Sequence, residues 1–169
     1  MFRDEVSYDM EIDGFKIADI PADGGLATAF TSPGKVHEDT IEITQADPTE
    51  NAFYAQGEST PLETSLKAGL RTGVANLIKV TAEVGADLLG GTVVAGQYHA
   101  PSGTPNIEKA IQIIDGKGMP YTYPRCRINA KVIGRFRVGE PNHIELRWTV
   151  LQPKKAGIAP EIIGVLDAG

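Results

Sequence analysis

The sequence predicts a mainly β fold, a β-sandwich or β-barrel of antiparallel strands with one short flanking helix. Three observations carry this. Apolar and polar residues alternate with period two in several stretches, the longest over residues 126–138. Nineteen glycines and eleven prolines are spread along the 169 residues, which marks many turns and therefore many short strands. Only one segment, after residue 80, combines capping residues with helical spacing.

Taken in order, Val6, Tyr8, Met10 and Ile12 alternate with Glu5, Ser7, Asp9, Glu11 and Asp13, a half-buried strand with an acidic outer row. Gly14 permits a turn, and Phe15, Ile17 and Ile20 suggest a return strand before the loop residues Pro21-Ala22-Asp23-Gly24-Gly25. Residues 26–37 have weak periodicity and read as a loop. Ile41 and Ile43 point inward from a strand over 40–44, which Gln45-Ala46-Asp47-Pro48-Thr49 ends. Leu62, Thr64 and Leu66 alternate with Glu63, Ser65 and Lys67 in a further strand.

Residues 74–80 fit a strand that gives way to a short helix. Thr81 caps it, Glu83 sits in its first turn against the helix dipole, and Gly90-Gly91 end it. Gly85 weakens that helix by about 1 kcal/mol relative to Ala, so packing of Val84, Leu88 and Leu89 must hold it. A strand over 92–98 follows, then one with Ile107, Ile111 and Ile113 on a single face.

The clearest strand runs over 126–138. Cys126, Ile128, Ala130, Val132, Gly134, Phe136 and Val138 lie on one side, and Arg125, Arg127, Asn129, Lys131, Ile133, Arg135 and Arg137 on the other. A turn at Gly139-Glu140-Pro141-Asn142 leads to a return strand with Ile144, Leu146, Trp148 and Val150 inward. Residues 1–153 thus form one β domain. Residues 154–169 form an extended arm of it, whose apolar Ile158, Ile162 and Ile163 need burial on the domain or on a neighbouring subunit.

Hydrophobic residues make up 41% and charged residues 22%, ordinary globular usage that needs no disulfide or metal staple. The net charge of −6 argues against general DNA binding, which requires Lys and Arg to neutralise phosphates. The opening residues MFRDEVSYDM carry no apolar signal region, and no apolar run approaches the roughly 20 residues that span a bilayer, so folding in a cytoplasm without membrane contact is expected.

Catalytic patterns are missing from the sequence. His37, His99 and His143 have no metal-ligand spacing, and no CxxC, HExxH or GxSxG occurs. The single Cys126 faces inward and reads as a small core residue. Residues 85–92 (GADLLGGT) imitate a phosphate-binding loop, but Gly91 stands where its lysine must be. No enzyme activity and no cofactor are expected. The basic row Arg125, Arg127, Lys131, Arg135 and Arg137 allows three readings: a nucleic-acid face, a solvated face paired across strands with Glu145 or Glu108, or a dock for an acidic row such as Glu5, Asp9 and Glu11 of another subunit.

An ordered set of segments resembles the tail tube (major tail) proteins of tailed phages and prophages. It comprises EITQADPT at 42–49, Gly57-Glu58 with Pro61, Leu88-Leu89-Gly90-Gly91, IEKAI at 107–111, YPRCRI at 123–128 and TVLQP at 149–153. The set covers most of residues 1–153. The resemblance implies a structural subunit whose sheets join side by side, commonly in hexameric rings that stack through a long loop or arm into a conduit for DNA. Similar folds occur in the tubes of contractile injection and type six secretion systems. The implied partners are further copies of the chain, other tail proteins, and DNA passing transiently without specific binding. The implied location is the virion tail, or the host cytoplasm before assembly. Glu5, Asp9, Glu11 and Asp13 are the candidate lumen lining. The basic row with Ile158, Ile162 and Ile163 is the candidate subunit interface, and the loop over 24–38 is a further contact candidate. The alternative is a soluble β-sandwich module that binds a ligand or carbohydrate, which needs clustered exposed aromatics in a concave site.

Overall fold

The computed structural model describes residues 10–134 and 136–164; the side chains of residues 10–13 lie outside that description. In chain order the elements are β1 (Met10–Ala18), β2 (Lys35–Val36), β3 (Glu42–Gln45), β4 (Thr49–Phe53), β5 (Glu63–Lys67), β6 (Arg71–Lys79), α1 (Ala82–Leu89), β7 (Thr92–Val94), β8 (Gln97–His99), β9 (Ile107–Asp115), β10 (Pro120–Ile133), β11 (His143–Val150) and β12 (Ile162–Ile163). An eight-stranded antiparallel sheet dominates, in the order β1-β9-β10-β11-β6-β2, with β12 added to β10 and β3 to β6. Just before β2, Thr31 exchanges two 2.9 Å backbone hydrogen bonds with Ile17 of β1, so the sheet curls almost into a closed barrel. Closure of this kind removes free strand edges.

The inward rows fill the barrel. Phe15, Leu77, Ile111, Tyr123, Cys126, Leu146 and Trp148 are all buried, and Leu88 of α1 joins them. Phe15 and Trp148 pack with ring centroids 5.6 Å apart at a 39° tilt. Beside Trp148, Gly73 leaves room that no side chain can occupy, because a Cβ there would lie 2.2 Å from the indole carbons. Helix α1 forms as its sequence directs: the Val84 N–H donates to Thr81 Oγ1 at 3.4 Å, Glu83 lies in the first turn, and Gly90 ends the helix at φ 77°.

Four sequence expectations are corrected. Residues 10–18 form one strand through Gly14 rather than a strand, a turn and a return strand; a register irregularity between Met10 and Phe15 absorbs the glycine against β9. Residues 92–99 form a tight hairpin, not a single strand, because Ala95 and Gly96 both adopt positive φ, 48° and 77°, as a two-residue hairpin turn requires. The break expected over residues 45–49 is shorter, because Thr49 already begins a strand that runs to Phe53. Finally, β10 begins at Pro120 and ends at Ile133, five residues short of Val138. Its start is extended by pairing with β9, and Pro124, which has no N–H to donate, falls in the register shift between Tyr123 and Cys126. Its end is set by β11, whose first residue His143 opposes Ile133. Beyond that pair Phe136 and Val138 are 94% and 104% exposed in the connecting loop.

Candidate functional site

Exposed large apolar side chains lie beyond both ends of β6. At its Arg71 end, β3 pairs with β6 from Glu42↔Val74 to Gln45↔Arg71, and the same two chains continue as the β4–β5 hairpin. The joint depends on Gly69, where a Cβ would lie 1.9 Å from the Ala46 carbonyl oxygen. All ten residues of β4 and β5 are exposed. Phe53, Tyr54, Leu62, Leu66 and Leu70 are each between 58% and 71% exposed. On the β4–β5 register Phe53 stands opposite Glu63 on one face and Leu66 opposite Glu50 on the other, so the exposed apolar side chains are divided between both faces; a two-stranded hairpin alone is at best marginally stable in water. At the opposite, Lys79 end of β6 lie a groove floored by Pro33, Val80 and Val84 and the loop over 134–142 bearing Phe136 and Val138.

The basic row is drawn largely into the chain itself. Arg125 holds Glu108 across β9–β10 in a two-point pair, Nε and Nη2 each 2.9 Å from a carboxylate oxygen, and also donates to the Gln152 carbonyl at 3.0 Å. Lys131 pairs with Glu145 at 3.1 Å, Arg147 donates to the same carboxylate at 2.7 Å, and Arg137 pairs with Glu140 at 2.6 Å. The hydrogen bond from Arg125 holds Glu108 below the usual carboxylate range, and those from Arg147 and then Lys131 do the same for Glu145. Arg127 is exposed, and Arg135 lies outside the described residues. The cross-strand reading therefore accounts for Arg125 and Lys131, while Arg137 sits in the loop rather than on the strand.

Ile158, Ile162 and Ile163 fold back on their own barrel, half-buried. Ile162 and Ile163 pair with Thr122 and Tyr121, and the Gly164 N–H donates to the Pro120 carbonyl at 2.9 Å. Glu161 bridges to Arg71 at 3.0 Å and accepts a hydrogen bond from the Tyr123 hydroxyl; burial first, then that carboxylate, pushes the Tyr123 pKa up. Of the acidic row, Glu5 and Asp9 lie outside the described residues, as do the side chains of Glu11 and Asp13, though their backbone is in β1. The loop over 24–38 is partly anchored: Ala27 and Pro33 are buried, and Lys155 bridges to Asp23 at 2.9 Å.

Cys126 is fully buried, and burial pushes its thiol up to about 12, which leaves no thiolate for nucleophilic chemistry at neutral pH. A cleft of about 460 Å³ opens over β3, β6 and β11, walled by Glu42, Thr44, Thr72, Asn129 and Arg147. Trp148 borders it but is only 1% exposed, so it offers no ring face on which a sugar could stack. Among the described residues, no group of three or more His, Cys, Asp or Glu side chains could hold a metal ion, and no helix is long and apolar enough to cross a membrane.

Sequence reasoning missed Phe53 and Tyr54. The TENAF run of β4 has no apolar alternation, because neither of its faces meets a core. No protein-family model and no curated protein matches the chain.

Proposed function

We propose that this chain is a structural subunit of a phage-type tail tube, assembling into stacked rings, six subunits to a ring, that form a conduit for DNA. The observation that carries the reading is the β4–β5 hairpin, a fully exposed pair of strands that, with the residues next to them, leaves Phe53, Tyr54, Leu62 and Leu66 open to solvent outside the core of the barrel. Such an arm becomes stable when a neighbour covers it. Apolar exposure at both ends of β6 supports a head-to-tail contact, which generates rings where the rotation closes and stacks where it does not. The nearly closed barrel, with a core complete in one chain, supports a building block that folds first and assembles afterwards.

Within that reading the acidic row Glu5, Asp9, Glu11 and Asp13 lines the lumen. It repels phosphate only near the wall, since the Debye length is about 8 Å at physiological salt. Negative-stain microscopy of the purified chain tests the assembly. Rings or tubes of one diameter are the expected result; a field of single particles at high concentration contradicts it. Charge reversal along the acidic row is expected to leave tubes intact and slow DNA passage through them; unchanged passage removes the lumen assignment.

A further inference from the structure

We infer that the C-terminal arm latches the root of the β4–β5 hairpin through Arg71, so that arm docking and hairpin order form one coupled equilibrium. Arg71 opens β6 and stands opposite Gln45, the last residue of β3. Just beyond, the Ala46 N–H donates to the Leu70 carbonyl at 2.9 Å, and the two chains continue as the hairpin. The Arg71 guanidinium reaches both ways from this root. Nη2 donates to Gln45 Oε1 and Nη1 to Glu161 Oε1 of the arm, each at 3.0 Å. Glu161 also accepts from the hydroxyl of the buried Tyr123 on β10. One line of polar contacts therefore runs from β3 through β6 and the arm to the wall of the barrel.

The elements that this line joins are lightly held. β12 is two residues long with both side chains half-buried, and Gln152 Nε2 reaches the Ile158 carbonyl only at 3.5 Å. Every residue of β4 and β5 is exposed. Such elements open locally at low free energy. The Arg71 and Glu161 side chains, by contrast, are 27% and 24% exposed, so their ion pair is partly desolvated. Lifting the arm leaves the guanidinium there without that counter-charge, which costs more than parting an ion pair in open water. When the hairpin root opens instead, Arg71 is drawn away from Glu161 and the arm loses its anchor. By linkage the coupling is the same in both directions. It belongs to the single chain. Under the tube reading it fixes the direction in which the hairpin meets the next copy, but dilution below the onset of assembly tests it apart from that reading.

Amide hydrogen exchange on the dilute, single-chain protein tests this. Glu161→Ala is expected to speed exchange of the Ala46 amide, and of residues 44–45 and 71–72 around it, about tenfold. β11 and the Lys79 end of β6 should keep the parent's rates. Gln45→Ala, at the hairpin root, should in turn speed exchange of the Gly164 amide, which donates to the Pro120 carbonyl at 2.9 Å, about threefold. In E161A/Q45A the two effects should combine to less than their product. Glu161→Gln keeps the side chain's shape while removing its charge, and takes the place of E161A if alanine there impairs folding. An arm that frees Gly164 in E161A while Ala46 changes by less than about twofold overturns the latch. So does a rise spread equally over β11, which would make the arm a support of the whole barrel. Neither result touches the tube reading, which rests on assembly at high concentration.

Discussion

Lys109 shows how a single buried charge is handled in this barrel. Its side chain is almost fully covered, and its ammonium donates to Asp19 and, at 2.6 Å, to Asp87 of α1. Burial by itself would lower its pKa; the two carboxylates outweigh it and raise it. The carboxylates are much more exposed, 88% for Asp19 and 51% for Asp87, so the partners are not equivalent. Lys109→Met returns two carboxylates to water and should cost under about 1 kcal/mol. D19N/D87N strands a buried ammonium and should cost about 3 kcal/mol. Denaturant unfolding at pH 7 separates the two; equal losses would mean that contacts, not the buried charge, set the energy.

The Glu108–Arg125 pair acts at the same scale. Its side chains are only about one-fifth exposed, and its two-point geometry holds the Glu108 pKa below the ordinary 4.5. A depressed carboxylate pKa contributes stability that is complete above the unfolded value and lost as pH falls through the folded one. Glu108→Gln should therefore cost about 1 kcal/mol at pH 7, and the gap to the parent should close as pH drops below about 4.5. A gap that persists at pH 3 would show that the pair's charge is not its contribution.

Among the elements, two glycines should respond oppositely to the same added methyl group. A Cβ on Gly73 would overlap the Trp148 indole at 2.2 Å, and the indole is locked between β6, β11 and Phe15. Gly73→Ala should cost about 2–3 kcal/mol through forced repacking. A Cβ on Gly85 meets nothing within 4 Å in mid-helix, so Gly85→Ala should stabilise by about 0.5–1 kcal/mol. Thermal unfolding followed by circular dichroism checks both signs.

The elements also show what a single sequence reveals. Where a strand has a core on one side, as β9, β11 and the first part of β10 do, alternation identifies it. The helix was legible down to Thr81 and Gly90 because capping is local chemistry. Strand ends were not legible, because they depend on the partner: Phe136 and Val138 continue the alternation past Ile133, the last residue that β11 covers. The two positive-φ residues of the 92–99 hairpin left only a weak trace in Ala95-Gly96. The candidate site was the least visible part. A hairpin exposed on both faces in the single chain has no inward row, so its apolar residues looked like the buried row of an ordinary strand.

For the whole molecule, the folded barrel and the exposed hairpin have separate stability requirements. The core closes within one chain, and the C-terminal arm adds to it through β12, Glu161 and Arg71. The hairpin contributes nothing to that core. Truncating its apolar side chains should leave folding intact and remove assembly, whereas a hairpin that served only its own barrel would show the reverse.

The most direct measurement is solution mass by light scattering over a concentration series, for the parent and for F53S/L62S/L66S. The parent should rise from the 18.0 kDa single chain to large assemblies, while the variant stays at the single-chain mass with an unchanged far-ultraviolet spectrum. A parent that holds the single-chain mass at every concentration, or a variant that assembles as readily as the parent, would contradict the account.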